Sequence, residues 1–288
     1  MDLALIVAIE VLYAIASLAL ISIGLAIIFG MMRVINLAHG EFLMMGGFAC
    51  TMLANAGVNL WISMLILAPL IVGAIGIIVE RLVIRYLYGR LIETILATWG
   101  LSLFFIGLAS VTVGYFQMGL TPPFGSIRIG VYSEGVYTLV IIGIAIVVML
   151  TVYLFLRHTR WGLIARGTMQ YPNMAAALGV NPNRVYAVTF FAGAALSGLA
   201  GAVLVPLAGV VPTSGIAYIA KAFITVISGG ATVIAGTAAA SVLLGGIDQI
   251  VSFTSSPVMG EAALLLVAVI LLRFLPQGIT GRFFRSAL

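Results

Sequence analysis

Long apolar runs follow one another along almost the whole chain, and they constrain its fold more than any other feature. A helix needs roughly 20 residues to cross the hydrocarbon core of a bilayer, and runs of that length recur throughout the sequence. Charged residues make up only 7% of the chain, against about a quarter in a soluble domain. The runs are continuously apolar and do not alternate with a period of two, which favours helices over a β-barrel. The sequence therefore predicts an all-α, polytopic transmembrane helix bundle.

Clusters of arginine orient these apolar segments. They cover residues 81–90, residues 157–184 and the tail from Arg273 to Arg285, and the positive-inside rule assigns all three to the cytoplasm. We expect eight or nine membrane segments, with the N-terminus periplasmic and the C-terminus cytoplasmic. Segment 217–229 is short, and a re-entrant hairpin made with the next segment would leave seven full crossings. The segments are 4–29, 41–57, 61–80, 92–113, 136–156, 185–207, 217–229, 233–252 and 261–275.

The order of the segments suggests an internal repeat. Two groups of four flank the segment at 136–156, so the groups have opposite orientations, as in an inverted repeat. Both "IIFGMMRVINLAHGEFLMMGGF" and "VPLAGVVPTSGIAYIAKAFITVI" place a polar, glycine-containing break after the first helix of a group. We predict such a repeat within a single transmembrane domain that covers residues 1–288.

The stretch "RVINLAHGEFLMMGGF" concentrates polar residues between two apolar runs. In one interpretation, Asn36 caps a helix that begins near Leu37, and His39 and Glu41 are solvated at the cytoplasmic face. In the other, the helix is broken at membrane depth and polar side chains line a path. If Arg33 and Glu41 are out of water, they need neutralising partners, and each is a candidate partner for the other.

Composition excludes several classes of protein. The chain has two histidines and eight scattered acids, with no spacing typical of a catalytic or metal site. It has one cysteine and one lysine, and no lysine-containing phosphate-binding loop, so energy from a nucleotide would come from another chain. The net charge of +5 lies mainly in arginines at the ends of apolar runs. We interpret this charge as a sign of how the helices are oriented in the membrane, and we expect no nucleic-acid partner.

The cytoplasmic stretch 157–184 contains a further predicted element. Proline and helix-forming residues predict a short helix over 172–178, and Gly179 follows as its stop. The apolar stretch 174–180 lies between Arg166 and Arg184, as expected of a helix that docks into the groove of a soluble partner.

Four stretches together carry a family resemblance, and they span nearly the whole chain. They are "GMMRVINLAHGEFLMMGGF", "ARGTMQYPNMAAALGVNPNRVYAVTFFAGAALSGLAGAV", "VISGGATVIAGTAAASVLLGGI" and "LLRFLPQGITGRF". In this order they resemble permease subunits of bacterial branched-chain amino acid ABC importers, including relatives that import urea and amides. The resemblance implies a protein of the bacterial inner membrane that works with a second permease subunit, identical or homologous. It also implies two cytoplasmic ATPases, which would bind ATP and Mg, and a periplasmic binding protein. This chain itself would bind no cofactor.

The resemblance also suggests which residues act. Segment 157–184 matches the ATPase-coupling segment of the family, although family members often carry an acid where this chain has Gln170 and Asn173. Alternating access would use the glycine-containing breaks as hinges. The predicted coupling residues are Arg160, Arg166, Asn173, Met174, Ala177 and Gly179, and the predicted path or gate residues are Asn36, His39, Glu41, Ser228, Gly229, Gly230 and Thr232.

The substrate stays open at this stage. Branched-chain or other hydrophobic amino acids are the first expectation, and urea or a short amide is the alternative. A passive aquaporin-like or urea channel is the hypothesis from a different class, and it predicts two Asn-Pro-Ala-like breaks. The sequence has one Asn-Pro pair, Asn181-Pro182, and it lies in the arginine-rich stretch 157–184.

Overall fold

A computed structural model describes residues 2–130, 132–230 and 232–283. Helices dominate these residues. The first part of the chain forms α1 (Asp2–Met32), α2 (His39–Asn55), α3 (Leu60–Ile62), a π-helical turn (Ser63–Leu67), α4 (Ala68–Leu82), a 3-10 turn (Ile84–Leu87), α5 (Leu91–Thr112) and α6 (Val136–His158). The second part forms α7 (Arg160–Gln170), α8 (Pro172–Ala177), α9 (Pro182–Ala208), α10 (Ser214–Gly229), α11 (Val233–Thr254), α12 (Pro257–Phe274) and α13 (Gly278–Phe283).

Seven helical stretches among the described residues are long and apolar enough to cross a membrane. One of them, Leu60–Leu82, combines α3, the π-helical turn and α4, and another, Pro257–Gly281, runs from α12 into α13. The helices α2 and α10, with 17 and 16 residues, are shorter. The chain is therefore a polytopic membrane protein built of helices, as the sequence predicted. The seven are Asp2–Met32, Leu60–Leu82, Leu91–Thr112, Val136–His158, Pro182–Ala208, Val233–Thr254 and Pro257–Gly281.

Two elements were not predicted from the sequence. A short antiparallel hairpin joins β1 (Ser126–Ile129) to β2 (Tyr132–Gly135), with Ser126 opposite Gly135. The helix α7 precedes the predicted short helix, which forms as α8 and ends one residue earlier than expected. Gly179 then takes a φ of +84°, a left-handed conformation that suits glycine after a helix end.

Local capping chemistry explains where two of the long helices begin. At α9, the Asn181 side chain accepts hydrogen bonds from the N–H groups of Asn183 and Arg184, at 3.1 and 3.3 Å. At α12, the Ser256 hydroxyl accepts from the N–H of Met259 at 3.4 Å. Each cap precedes a proline at the first helical position, where the missing N–H costs nothing.

The described chain divides into two compact units. Unit 2 comprises Ile23–Leu120 and Leu150–Ala220, and its core packs α2 and α4 against α9. Glycine allows this close approach: a Cβ atom at Gly201 would overlap the backbone oxygen of Leu43. Such small-residue contacts are how helices associate in lipid.

Unit 1 comprises Met1–Ser22, Thr121–Met149 and Lys221–Leu288. Its core joins α11 and α12 to the first part of α1. Leu18, Leu244, Leu264 and Ala268 form a buried cluster there, and Gly245 packs against the backbone at Ile15. The single domain over residues 1–288 stays a prediction.

Candidate functional site

The predicted break in the polar stretch is real, and we call residues 33–41 the first break. The helix α1 ends at Met32, and Arg33 adopts a φ of +52°. The Asn36 side-chain oxygen accepts from the N–H of Ala38 at 3.1 Å, and α2 begins only at His39. The prediction that Asn36 caps a helix from Leu37 is therefore wrong, because the Asn36 side chain closes a local turn before the helix starts.

A threonine of α5 holds this connection in place. The hydroxyl oxygen of Thr98 accepts from the N–H of Leu37 at 3.1 Å and lies 2.8 Å from the carbonyl oxygen of Thr94, to which it donates. Thr98 is fully buried. The Thr98 hydroxyl thus satisfies one of the backbone N–H groups that the break leaves without a helical partner.

Two of the three ionisable residues of the first break, His39 and Glu41, are buried. His39 is 0% exposed and Glu41 is 1% exposed, so the interpretation that both are solvated is wrong. Nδ1 of His39 lies 3.2 Å from Oγ of Ser197, a residue of α9. Arg33 is exposed, and the ion pairs among the described residues do not include one between Arg33 and Glu41. The expected pairing is therefore absent there.

The N-terminus of α10 lies against the first turn of α2. A Cβ atom at Gly40 would overlap the backbone oxygen of Gly215, and one at Gly215 would lie 2.9 Å from Oε1 of Glu41. The two stretches that suggested an inverted repeat thus meet at a contact between two glycines. The carboxylate of Glu41 lies beside the first turn of α10, where the helix dipole favours negative charge. Ser102 of α5 lies close to this carboxylate, but neither carboxylate oxygen has a hydrogen-bond partner among the described residues.

The second break, residues 228–236, joins α10 to α11. Glycines pack here backbone to backbone: a Cβ atom at Gly229 would lie 2.5 Å from the carbonyl carbon of Gly236. Gly230 has a φ of +85°, and a Cβ atom there would overlap the backbone oxygen of Gln277. A side chain at Gly229 or at Gly230 would therefore force the neighbouring backbone to move.

Thr280 of α13 holds the second break together. Its hydroxyl donates to the carbonyl oxygen of Gly229 at 2.6 Å and accepts from the N–H of Thr232 at 3.2 Å. Ser228 is buried, and its hydroxyl has no hydrogen-bond partner among the described residues. The predicted residues Ser228, Gly229, Gly230 and Thr232 therefore form one local structure. Their role in a path stays a prediction.

The predicted coupling residues lie on or beside two short helices. Arg160 opens α7 after Thr159, whose hydroxyl caps the N–H of Gly162 at 3.0 Å. Nε of Arg166 donates to the carbonyl oxygen of Gly162 at 3.4 Å. On and next to α8, the side chains of Tyr171, Asn173, Met174, Ala177 and Leu178 are exposed. Exposed apolar side chains on the same short helix pair as exposed arginines are typical of an interaction surface.

A buried carboxylate lies at the end of α4, next to the start of α9. Glu80 is fully buried, and its Oε1 accepts from the hydroxyl of Tyr88 at 2.7 Å, while its Oε2 lies 3.5 Å from Nη2 of Arg85. The ring of Tyr88 packs 4.9 Å from that of Tyr186. Burial, and then the hydrogen bond to Glu80, raise the pKa of Tyr88 well above its usual range. This group ties the 83–90 connection to the first turns of α9.

Sequence reasoning missed the residues that complete both breaks. Four of them, Thr98, Ser102, Ser197 and Thr280, are hydroxyl side chains in apolar helices, and the others are Gly215 and Gly278. The only signal in the sequence is a polar or small residue in an apolar helix, which many positions share.

Comparison with known proteins identifies the family. Residues 7–275 match the family described as branched-chain amino acid transport system, permease component, and the chain belongs to this family. It is 32% identical over 281 residues to the high-affinity branched-chain amino acid transport system permease protein LivH of Salmonella typhimurium, with 92% of this chain and 91% of that protein covered. No solved structure matches it significantly.

Two more distant relatives cover the chain to the same extent. The permease protein BraD of Pseudomonas aeruginosa, from a high-affinity branched-chain amino acid transport system, is 30% identical over 287 residues, with 92% of this chain and 91% of BraD covered. A probable branched-chain amino acid transport permease protein LivH of Methanocaldococcus jannaschii is 25% identical over 282 residues, with 92% and 88% covered. The family and the seven apolar helices identify a multi-pass transport component of the bacterial inner membrane.

Proposed function

We propose that the chain is the permease subunit of a binding-protein-dependent ABC importer that carries branched-chain or other hydrophobic amino acids. The observation that carries this proposal is the family match over residues 7–275, with relatives named for branched-chain amino acid transport. Nothing in the first or second break favours urea over an amino acid.

The proposal includes partners that supply energy and substrate. A second permease subunit would complete the membrane channel, and a periplasmic binding protein would deliver the solute. Two cytoplasmic ATPases would bind ATP and Mg, and this chain itself would bind no cofactor. The exposed faces of α7 and α8 support this assignment, because they present apolar side chains (Tyr171, Met174, Leu178) and arginines (Arg160, Arg166) to the outside. In this scheme, motion of the ATPases reaches the bundle through segment 157–184.

The orientation and mechanism are part of the proposal. We place the N-terminus in the periplasm, the C-terminus in the cytoplasm, and α2 and α10 among eight or nine membrane segments of an inverted repeat. Alternating access would then move the two breaks relative to the helices around them. The support for the repeat is that each of the two stretches places a polar, glycine-containing break after the first helix of its group.

Reconstitution tests this function directly. The permease would be placed in proteoliposomes with the second permease, the ATPases and the binding protein encoded with it, and uptake of labelled leucine, isoleucine and urea would be followed. We expect leucine and isoleucine uptake that requires ATP hydrolysis and the binding protein, with no uptake when a non-hydrolysable ATP analogue replaces ATP. ATP-driven uptake of urea in place of the amino acids would overturn the substrate. Rapid flux through the permease alone would instead support a passive channel.

A further inference from the structure

The only lysine of the chain lies inside a group of charged residues in unit 1. Lys221 is on α10, and its Nζ lies 2.7 Å from Oε1 of Glu261 on α12 and 3.8 Å from Oδ2 of Asp248 on α11. All three residues belong to apolar helices. Ionisable residues within such helices are costly, and they generally mark a site of function. The mechanism proposed above does not use this charged triad of Lys221, Asp248 and Glu261.

A glycine allows the two carboxylates to come together. Gly260 precedes Glu261, and a Cβ atom at Gly260 would overlap Oγ of Ser252 and lie 2.5 Å from the backbone oxygen of Asp248. Because no side chain intervenes, α12 approaches α11 closely at this level. Glu261 is thereby held on the same side of the helix pair as Asp248.

The charged triad lines an open cavity of about 510 Å³. Its side chains are 31% (Lys221), 20% (Asp248) and 58% (Glu261) exposed, so the charges are not sealed against one another. The cavity has both signs of charge, neutral polar groups and an apolar wall. The other lining residues are Gln249, Ser252, Phe253 and Pro257.

The charged triad keeps unused binding capacity. The ammonium of Lys221 has three N–H donors, and Glu261 takes one of them at 2.7 Å. The 3.8 Å separation from Oδ2 of Asp248 exceeds hydrogen-bond length, so Lys221 does not use up that oxygen. The other oxygen, Oδ1, accepts from the hydroxyl of Ser252 at 3.5 Å. A positively charged hydrogen-bond donor and a negatively charged hydrogen-bond acceptor therefore both face the cavity.

We propose that this cavity binds the zwitterionic head of an α-amino acid. The carboxylate of the amino acid would bind Nζ of Lys221, its ammonium would bind Asp248 with Glu261 alongside, and an apolar side chain would lie against Phe253 and Pro257. Urea carries neither charge and would lose both contacts. The inference rests on the proposed function and deepens it, because it names the substrate class that the permease itself selects.

The cavity lies where a substrate would enter the permease. Asp248 lies six residues before the end of α11, and Glu261 is the fifth residue of α12. Arg273 lies in the last turn of α12, at the opposite end of that helix. In the proposed orientation, the cavity therefore opens to the periplasmic face, where a binding protein releases its solute.

Equilibrium binding tests the site without transport. Labelled leucine would be titrated onto the purified permease in nanodiscs, without binding protein. For Lys221→Gln and Asp248→Asn we expect the apparent Kd to rise about tenfold each, the loss expected for one charge-assisted hydrogen bond. Leucinamide, which lacks the carboxylate, and 4-methylpentanoate, which lacks the ammonium, should compete weakly. Glu93→Gln, an exposed acid of unit 2, is the matched control and should leave the Kd unchanged.

A charge swap separates binding from a purely structural ion pair. In Lys221→Glu combined with Glu261→Lys, the ion pair can form again, so we expect the melting temperature to recover while leucine binding stays weak. Recovery of both would overturn the site, as would wild-type affinity in the single variants. If the wild-type transporter takes up leucine with ATP and the variants behave normally, only this site fails. If the wild type takes up no amino acid, the proposed function fails with it.

Discussion

The two breaks solve the same problem with different chemistry. Each interrupts apolar helices and so leaves backbone groups to be satisfied. The first break uses the polar side chains of Asn36 and Thr98, and it holds a buried Glu41 beside them. The second break uses close glycine contacts and the single hydroxyl of Thr280. The first is thus built around a buried charge, whereas the second has no ionisable residue among residues 228–230 and 232–236.

Each break contains one residue in the left-handed backbone conformation, and the two residues are of different types. In the first break it is Arg33, with a φ of +52°, and in the second it is Gly230, with a φ of +85°. A non-glycine residue pays a steric cost in this region, while glycine does not. The helix α10 contributes its first turn to the first break and its last turn to the second. Backbone freedom is therefore concentrated at the second break and chemical specificity at the first.

The largest effect is expected from filling the glycine contact of the first break. Gly40→Leu would drive a side chain into the backbone of Gly215, which has no flexible end that can move away. We expect a loss of about 3 kcal/mol or more and little folded protein, measured by size-exclusion chromatography and thermal unfolding in detergent. Gly100→Leu is the control, since no atom lies within 4 Å of a Cβ atom at Gly100. Equal melting temperatures for the two variants would refute this packing.

An intermediate effect is expected from the buried charge of the first break. Glu41→Gln keeps the shape and removes the charge, so stability should change by no more than about 1 kcal/mol. If Glu41 lines or gates the path, ATP-driven leucine uptake should fall roughly tenfold, as expected for the loss of one charged contact. Ser228→Ala in the second break is the counterpart. Neither the Ser228 hydroxyl nor the Glu41 carboxylate has a hydrogen-bond partner among the described residues, so the two residues differ in charge, and we expect a much smaller loss of uptake from the neutral serine.

Equal losses of uptake in Glu41→Gln and Ser228→Ala would remove the distinction between the breaks. Normal uptake in Glu41→Gln would remove Glu41 from the path altogether. Thermal unfolding of both variants separates these outcomes from misfolding.

Hydropathy predicted the helices well because it is a local property. Each of the nine predicted segments corresponds to a helix, with ends that differ by a few residues: segment 217–229 forms Ser214–Gly229, and segment 41–57 forms His39–Asn55. The capping interpretation, with a helix from Leu37, placed the start of α2 too early because the Asn36 side chain bonds the N–H of Ala38 in a turn before the helix. The hairpin from Ser126 was missed because its strands are short and lie in a loop.

The partners of the site residues could not be predicted in the same way. Hydroxyls in apolar helices commonly bond the carbonyl four residues earlier, as Thr51 does with Gly47 and Thr225 with Lys221. Thr98 and Thr280 look no different in the sequence, yet they reach across to another segment. The contact between Gly40 and Gly215 joins residues that are far apart in the chain, so only the assembled fold reveals it.

The smallest effect is expected where the first break carries backbone strain. Arg33→Gly would remove the steric cost of a left-handed arginine, which is about 1 to 2 kcal/mol, and the greater chain entropy of glycine offsets part of this gain. We expect the melting temperature to rise by a few degrees, since Arg33 is exposed and lies outside the described ion pairs. Arg90→Gly is the matched control, because Arg90 is also exposed but has a φ of −110° and gains nothing from glycine. If both variants lowered the melting temperature equally, Arg33 would not be strained, and the two breaks would not differ in backbone freedom as inferred here.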